Sequence, residues 1–377
     1  MKSNYKRLGD YIRQVDVRNK DEKVTRLLGV SIDKKFIESI ANTIGTDMSV
    51  YKIVKHRQFA YGPVTSRNGD KVSIALLLEE ECIISSSYTV FEITDTKKLL
   101  PEYLDLWFKR PEFDRYARFH SHGSAREIFD WEEMCNVELP VPPIEEQEKI
   151  VDAYQKIETR IALKKKINED LEVRALTILK DFLLSANKVK LLDVIKDSCT
   201  GGDAIQKVPI VNYDTGIRCA RVGDITNQRQ WSLWGFCNAN KTILETYKLS
   251  KYDILVTRTA TLGAVQLIVE DKKPLVFNNG LIRLVIDSTR AKALYVYWVL
   301  KTKDFNDYIH QIDFATSVRP NMKMNYLLEY DMPIISMRQQ SLFVKYIEPL
   351  TMQTYNNNSE INMLRELKAM LLTTLSH

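Results

Sequence analysis

Four groupings of side chains in this 377-residue sequence could do chemistry. His120-Ser121-His122 would let two imidazoles share a metal ion, but no further ligand lies nearby, and a solvated loop pair is the simpler reading. Glu145-Glu146-Gln147-Glu148 could suggest acid–base work; directly after Pro142-Pro143 these carboxylates fall in the first turn of a helix, where they complement its dipole. Val141-Pro142-Pro143-Ile144 lacks the flanking residues of the [ND]-P-P-[YFW] motif of base-amino methyltransferases. The sequence has neither G-x-x-x-x-G-K-[ST] nor G-x-G-x-x-G, so an ATP motor and a dinucleotide site are not supported. A scattered PD-(D/E)-x-K nuclease pattern stays open.

The fourth grouping reads differently. Tyr61-Gly62-Pro63-Val64-Thr65-Ser66-Arg67-Asn68 and Thr257-Arg258-Thr259-Ala260-Thr261-Leu262-Gly263 are loops of small, hydroxyl and cationic residues. Arginine can fork onto guanine, asparagine can pair with adenine, and hydroxyls and backbone amides reach phosphate, although an ordinary hairpin loop has the same composition. Ser124-Ala125-Arg126 returns as Ser317-Val318-Arg319, which favours a shared role. The candidate nucleic-acid contacts are Tyr61, Thr65, Ser66, Arg67, Asn68, Ser124, Arg126, Arg258, Thr259, Thr261, Ser317 and Arg319.

Positioning such loops needs a frame, and the frame is repeated. The 13 glycines leave residues 144–186 and 350–377 free of both Gly and Pro, as helices require. A 4-3 ladder runs Ile150, Tyr154, Ile157, Ile161, Lys164, Asn168, Leu171, Ala175, Ile178, Phe182; a shift of 193 residues gives Phe343, Ile347, Leu350, Thr354, Asn357, Ile361, Leu364, Lys368, Leu371, Leu375. A helix over 144–186 would be about 65 Å long at 1.5 Å per residue, too long for one small core, so each helix needs a partner of similar length. Pairing with each other is preferred to each helix capping its own domain, with Lys164 and Asn357 fixing the register. Upstream, Leu139-Pro140 matches Met332-Pro333, Gln147 matches Gln340 and Val151 matches Val344 at the same shift. The chain reads as a diverged tandem repeat of an α+β domain. Strands are expected at 58–61, 73–78, 82–84 and 88–91, then at 217–222, 254–257, 264–269 and 281–286, with helices at 100–108 and 291–301.

Composition permits this reading without deciding function. Hydrophobic residues are 45% and charged residues 27% of the chain, and 54 Lys plus Arg against 49 Asp plus Glu leave a formal charge of +5, a mild excess compatible with nucleic acid. Five scattered cysteines without C-x-x-C support neither a disulfide framework nor a zinc knuckle. With no long apolar run and no signal-like start, a cytoplasmic location is expected.

The sequence resembles the DNA sequence-specificity subunit of type I restriction-modification enzymes over nearly its whole length. The resemblance is carried by Gln58-Phe59-Ala60-Tyr61-Gly62-Pro63 with Arg67, by Ser85-Ser86-Ser87-Tyr88-Thr89-Val90-Phe91, by Pro101-Glu102-Tyr103-Leu104, and above all by residues 139–150, LPVPPIEEQEKI. The second copy departs from this pattern at residues 332–340, MPIISMRQQ, and its helix carries Pro349. The resemblance implies two similar target-recognition domains (1–143 and 187–336) separated by two long antiparallel conserved helices (144–186 and 337–377). Each domain would read half of a bipartite double-stranded DNA target. It further implies a chain without its own catalytic site or cofactor, which docks modification subunits using S-adenosylmethionine and ATP- and Mg-dependent restriction subunits. Gln147, Ile150, Ile157, Ile161, Leu171, Ile347, Leu364 and Leu371 are the expected partner-binding positions. The alternatives are the recognition subunit of a related methyltransferase or bifunctional restriction enzyme with another partner architecture, an interaction protein with no DNA role, and a hidden nuclease.

Overall fold

The structure is a computed structural model that describes residues 5–39, 45–66, 68–69, 71–122, 127–202, 209–270, 272–315 and 321–375. The chain divides into two compact units, Met1–Arg160 with Leu364–His377, and Ile161–Met363. The first unit contains β1 (Tyr5–Arg7), β2 (Ile12–Val15), β3 (Leu28–Val30), β4 (Phe36–Glu38), β5 (Lys52–Val54), β6 (Phe59–Tyr61), β7 (Ile74–Leu76), β8 (Cys82–Ile84), β9 (Thr89–Ile93), α1 (Pro101–Phe108), α2 (Pro111–Phe119), α3 (Trp131–Asn136) and β10 (Glu138–Pro140). Helix α4 (Ile144–Leu183) follows. The second unit contains β11 (Asn187–Lys190), β12 (Ile195–Thr200), β13 (Ile210–Val211), β14 (Arg218–Ala220), α5 (Val222–Thr226), β15 (Gly235–Cys237), α6 (Lys241–Tyr247), β16 (Ile254–Thr257), β17 (Val265–Leu267), β18 (Leu275–Phe277), β19 (Leu281–Ile286), α7 (Ala293–Val299), α8 (Lys303–Ala315), α9 (Met324–Leu328) and β20 (Asp331–Ile334). Helix α10 spans Met337–Thr374.

The internal repeat is visible in strand order. The first unit builds an antiparallel sheet β2-β9-β6-β7 and a two-stranded ladder β1-β10; the second builds β12-β19-β16-β17 and β11-β20, the same connections one copy later. What differs is inserted material. The first copy carries the ribbons β3-β4 and β5-β8, whereas the second carries a sheet β13-β15-β14-β18 in which β14 and β18 run parallel. Strand β6 shows why the common sheet is buried on both faces. Phe59, Ala60 and Tyr61 have no exposed surface, and the Phe59 ring stacks on Phe91 at 4.9 Å with Phe108 edge-on at 5.6 Å.

The seams of the long helices are in place. None of the twenty ladder positions is exposed. In the second unit Lys164 Nζ donates to Asn357 Oδ1 at 3.0 Å and pairs with Glu360 at 2.9 Å, Asn357 Nδ2 donates to Asn168 Oδ1 at 2.8 Å, and Phe182 meets Phe343 at 5.6 Å. Partner numbers fall as those of α4 rise, so the helices run antiparallel there. In the first unit Glu158 and Lys368 form an ion pair, and Leu371, Leu372 and Leu375 join a core that includes Ile150, Val151 and Tyr154. Polar Lys164 and Asn357 thus bond each other directly, which suits a register device. Pro349 removes one backbone donor, yet α10 continues through it. Both long helices are shared out between the units, at 160/161 and 363/364.

One interaction appears in both copies where a domain enters its long helix. Gln147 has no exposed surface; its Oε1 accepts the Leu100 N–H at 2.9 Å, and its Nε2 donates to the carbonyls of Lys98 at 2.9 Å and Pro142 at 2.8 Å. Gln340, also fully buried, accepts from the Lys292 N–H at 2.8 Å and donates to the Ile335 carbonyl at 2.9 Å. Leu100 and Lys292 are the N-cap residues of α1 and α7, which lack side-chain caps of their own. Tyr103 and Tyr295 add matching hydroxyl donations to Pro140 and Pro333 at 3.2 and 2.8 Å. Replacing Gln147 or Gln340 by Ala strands these amides and carbonyls, and each is expected to cost roughly 1–3 kcal/mol in chemical denaturation, more than Tyr103→Phe. A Gln147→Ala midpoint equal to that of the parent would remove the glutamine from this role.

Farther along α10, Tyr355 OH and Trp231 Nε1 both donate to Glu270 Oε1, at 2.6 and 2.8 Å, and Lys272 lies 2.9 Å from Oε2. Burial alone would raise the Glu270 carboxyl, but these donors and Lys272 outweigh it and hold the pKa down to about 2. A folded pKa below the unfolded one adds stability above the ordinary glutamate pKa, lost as pH falls toward 2. The Glu270→Gln variant should therefore show a shallower decline in thermal midpoint than the parent between about pH 4.5 and 2, using the ordinary glutamate value as the upper bound. Identical slopes would disprove this contribution.

Candidate nucleic-acid interface

The first candidate loop leaves β6 and is held by two neighbouring segments of chain, around residues 121–122 and 127–129. The Thr65 N–H donates to the Glu127 carbonyl at 3.0 Å, the Phe129 N–H to the Pro63 carbonyl at 2.8 Å, and His122 and Ile128 exchange both backbone bonds at 3.1 and 2.9 Å. Thr65 is buried, with its hydroxyl 3.0 Å from Ser121 Oγ. Asn68 folds inward: its N–H reaches the Thr65 carbonyl at 2.9 Å and its Nδ2 the Val64 carbonyl at 3.4 Å. Ser66 is exposed at the tip. His120, half of the candidate metal pair, instead places Nδ1 3.1 Å from Glu133 and stacks on Tyr116 at 4.2 Å.

The second loop, after β16, is built by different means. Gly263 has φ +75, and a Cβ there would lie 2.9 Å from Ile309, so glycine is required twice over. Ala260 also sits at positive φ, +61. Thr259 pairs with Asn321 as Val64 pairs with Ile128 in the first unit. Thr261 is exposed, and Thr259 is half-buried. Arg258 turns inward: its Nε donates to the Met322 carbonyl at 3.1 Å and an Nη to the Asn279 carbonyl at 3.0 Å, while its own carbonyl accepts from the Met322 N–H at 2.8 Å.

Comparison with known proteins bears on these loops. Residues 29–173 match the family model for the type I restriction modification DNA specificity domain. That segment of the chain is similar to such a specificity domain. Its fold is similar to that of the S subunit of a type I restriction-modification system from M. genitalium, with 12% identity, coverage of 99% of this chain and 96% of that one, and a TM-score of 0.60. The HsdS subunit from Thermoanaerobacter tengcongensis aligns over 100% of this chain and 97% of its own with 15% identity and a TM-score of 0.37. No curated protein sequence gives a match.

The matched segment covers the first recognition loop, and the structure sorts the sequence-based candidates. Ser66 and Thr261 are free to meet a ligand, and Thr259 is partly so. Tyr61 is not: it is fully buried beside Phe91 and Phe129, and that burial pushes its hydroxyl pKa up. Thr65 and Asn68 hold the specificity-domain loop in shape. Arg67, Ser124, Arg126, Ser317 and Arg319 lie outside the described residues. Among the expected partner-binding positions, Gln147 and Ile347 have no exposed surface and cannot dock a second protein without unfolding. Ile150, Ile157, Ile161, Leu171, Leu364 and Leu371 are seam residues, none of them exposed. The apolar side chains that the long helices do expose include Leu163, Val173, Met363, Leu367 and Met370, which an outward-facing count along the same ladder would have found.

The inward posture of Arg258 has a measurable consequence. If its guanidinium braces the loop, Arg258→Ala should lower stability without any nucleic acid present, by about 1 kcal/mol for two partly exposed charged hydrogen bonds. Unfolding of the ligand-free variant measures this, and unchanged stability would release Arg258 for base contact.

Proposed function

We propose that this chain is the non-catalytic DNA sequence-recognition subunit of a type I restriction-modification complex. Each unit reads one half of a bipartite duplex target through the loop after β6 or β16, and the paired helices set the spacing between the half-sites. The observation that carries this reading is the specificity-domain match over residues 29–173, in a chain whose second half repeats the same sheet order and the same glutamine at the helix entry. Among the described residues no helix is long and apolar enough to cross a membrane, in keeping with a DNA-directed role.

Methyl transfer then belongs to modification subunits carrying S-adenosylmethionine, and ATP- and Mg-dependent cleavage to restriction subunits. The exposed apolar side chains of α4 and α10 are the surface offered to such subunits. Ser66, Thr259 and Thr261 are the described residues offered to DNA, and Arg67, Ser124, Arg126, Ser317 and Arg319, outside the described residues, are proposed for the same role from the sequence. The triplets kept in both copies suit the phosphate backbone, and the loops that differ suit base edges.

The purified chain should bind duplex DNA, with affinity falling as salt rises, and should transfer no methyl group from radiolabelled S-adenosylmethionine until a modification subunit is added. Label incorporation by the isolated chain would overturn the assignment.

A further inference from the structure

Helix α2 ends on an aromatic ring that the protein leaves in water. Phe119 is 81% exposed, and no other phenylalanine or tryptophan is found among the exposed large apolar side chains of the described residues. Its neighbours are rigid. The His120 ring stands edge-on to it at 5.2 Å, and His120 is itself fixed by Tyr116 and Glu133. Two residues on, the Ser121 hydroxyl donates to the Ala117 carbonyl at 2.6 Å and meets Thr65 Oγ1 at 3.0 Å, so the end of α2 is tied to the first recognition loop. Ile128, which pairs with both Val64 and His122, is 40% exposed. An exposed aromatic ring therefore stands two residues from a side chain bonded to the loop proposed to meet DNA. At the equivalent position of the second copy the 193-residue shift places Ile312, partly buried against that unit's own core, and the exposed rings elsewhere in that unit include Tyr213, Tyr252 and Tyr326.

We infer that Phe119 stacks on a base of DNA held at the first candidate loop, at a step the bound duplex opens, an aromatic contact with no counterpart at the equivalent position of the second copy. This rests on the DNA-recognition reading above. Every unstacked base has a π-face, so once the step is opened, at the cost of unstacking it, the ring supplies affinity with little base identity. Being uncharged, it releases no counterions.

The test uses the full chain and duplexes enriched by that chain from a random-sequence pool. Phe119→Ala should weaken binding by about tenfold to a hundredfold, the usual range for one stacked base. Its salt dependence and thermal midpoint should match the parent, because the ring is neutral and outside the core. Phe119→Tyr and Phe119→Trp should bind as the parent does, and Phe119→Leu should bind as the alanine variant does. Parental affinity in Phe119→Ala, parental affinity in Phe119→Leu, or a shallower salt slope would each overturn the stacking contact. So would intact DNA affinity combined with lost co-purification of a modification subunit, which would make Phe119 a protein-docking residue. If the parent enriches no duplex at all, the DNA-recognition reading falls as well, an outcome distinct from a parent that binds and an alanine variant that binds equally.

Discussion

A helix of about forty residues cannot bury itself, and its direction is decided where it leaves the domain that precedes it. In this chain that point is held, in both copies, by a glutamine with no exposed surface. One amide group takes the free N–H at the start of a neighbouring short helix and gives its own protons to backbone carbonyls around the helix entry. Lysine or arginine at this position could not accept the amide, and glutamate could not donate to the carbonyls. The start of the short amphipathic helix and the entry of the long helix are thereby locked together in each copy.

Around this lock the two copies divide into constant and variable parts. The four-stranded sheet, the terminal ladder and the helices recur, whereas the segments inserted after β2 and β12 do not. The first insert is fastened by a buried ion pair. Lys34, at positive φ in the β3-β4 turn, reaches Asp114 of α2 and the Val72 carbonyl, both at 2.5 Å. Burial pulls its ammonium below the ordinary lysine value despite the facing carboxylate. The second insert is fastened through Glu270, whose carboxylate accepts from Trp231 and Tyr355 and pairs with Lys272. The two inserts are thus attached to the recurring frame by unrelated interactions.

Much of the frame was legible in the sequence, because it rests on periodicity. The seam positions, the 193-residue shift, and strands 254–257 and 281–286 all follow from the spacing of apolar residues, which packing against a partner enforces. The reading residues were less legible. Tyr61, Thr65, Asn68 and Arg258 have the chemistry of base contacts, but side chains with that chemistry also satisfy backbone groups inside a tight loop, and residue type does not say which way they turn. The inserts were largely invisible: β3, β4 and β13 are two or three residues long and are held by tertiary contacts rather than by pattern. Phe119 gave no signal because an aromatic at the end of a short amphipathic helix reads as core.

The last turns of the two long helices settle into different cores. Leu371, Leu372 and Leu375 of α10 close the core of the first unit; their equivalents at the 193-residue shift, Ile178, Leu179 and Phe182 of α4, pack into the core of the second. A gene encoding only the first half would therefore specify a product whose core lacks its closing residues while carrying the matching set on its own tail.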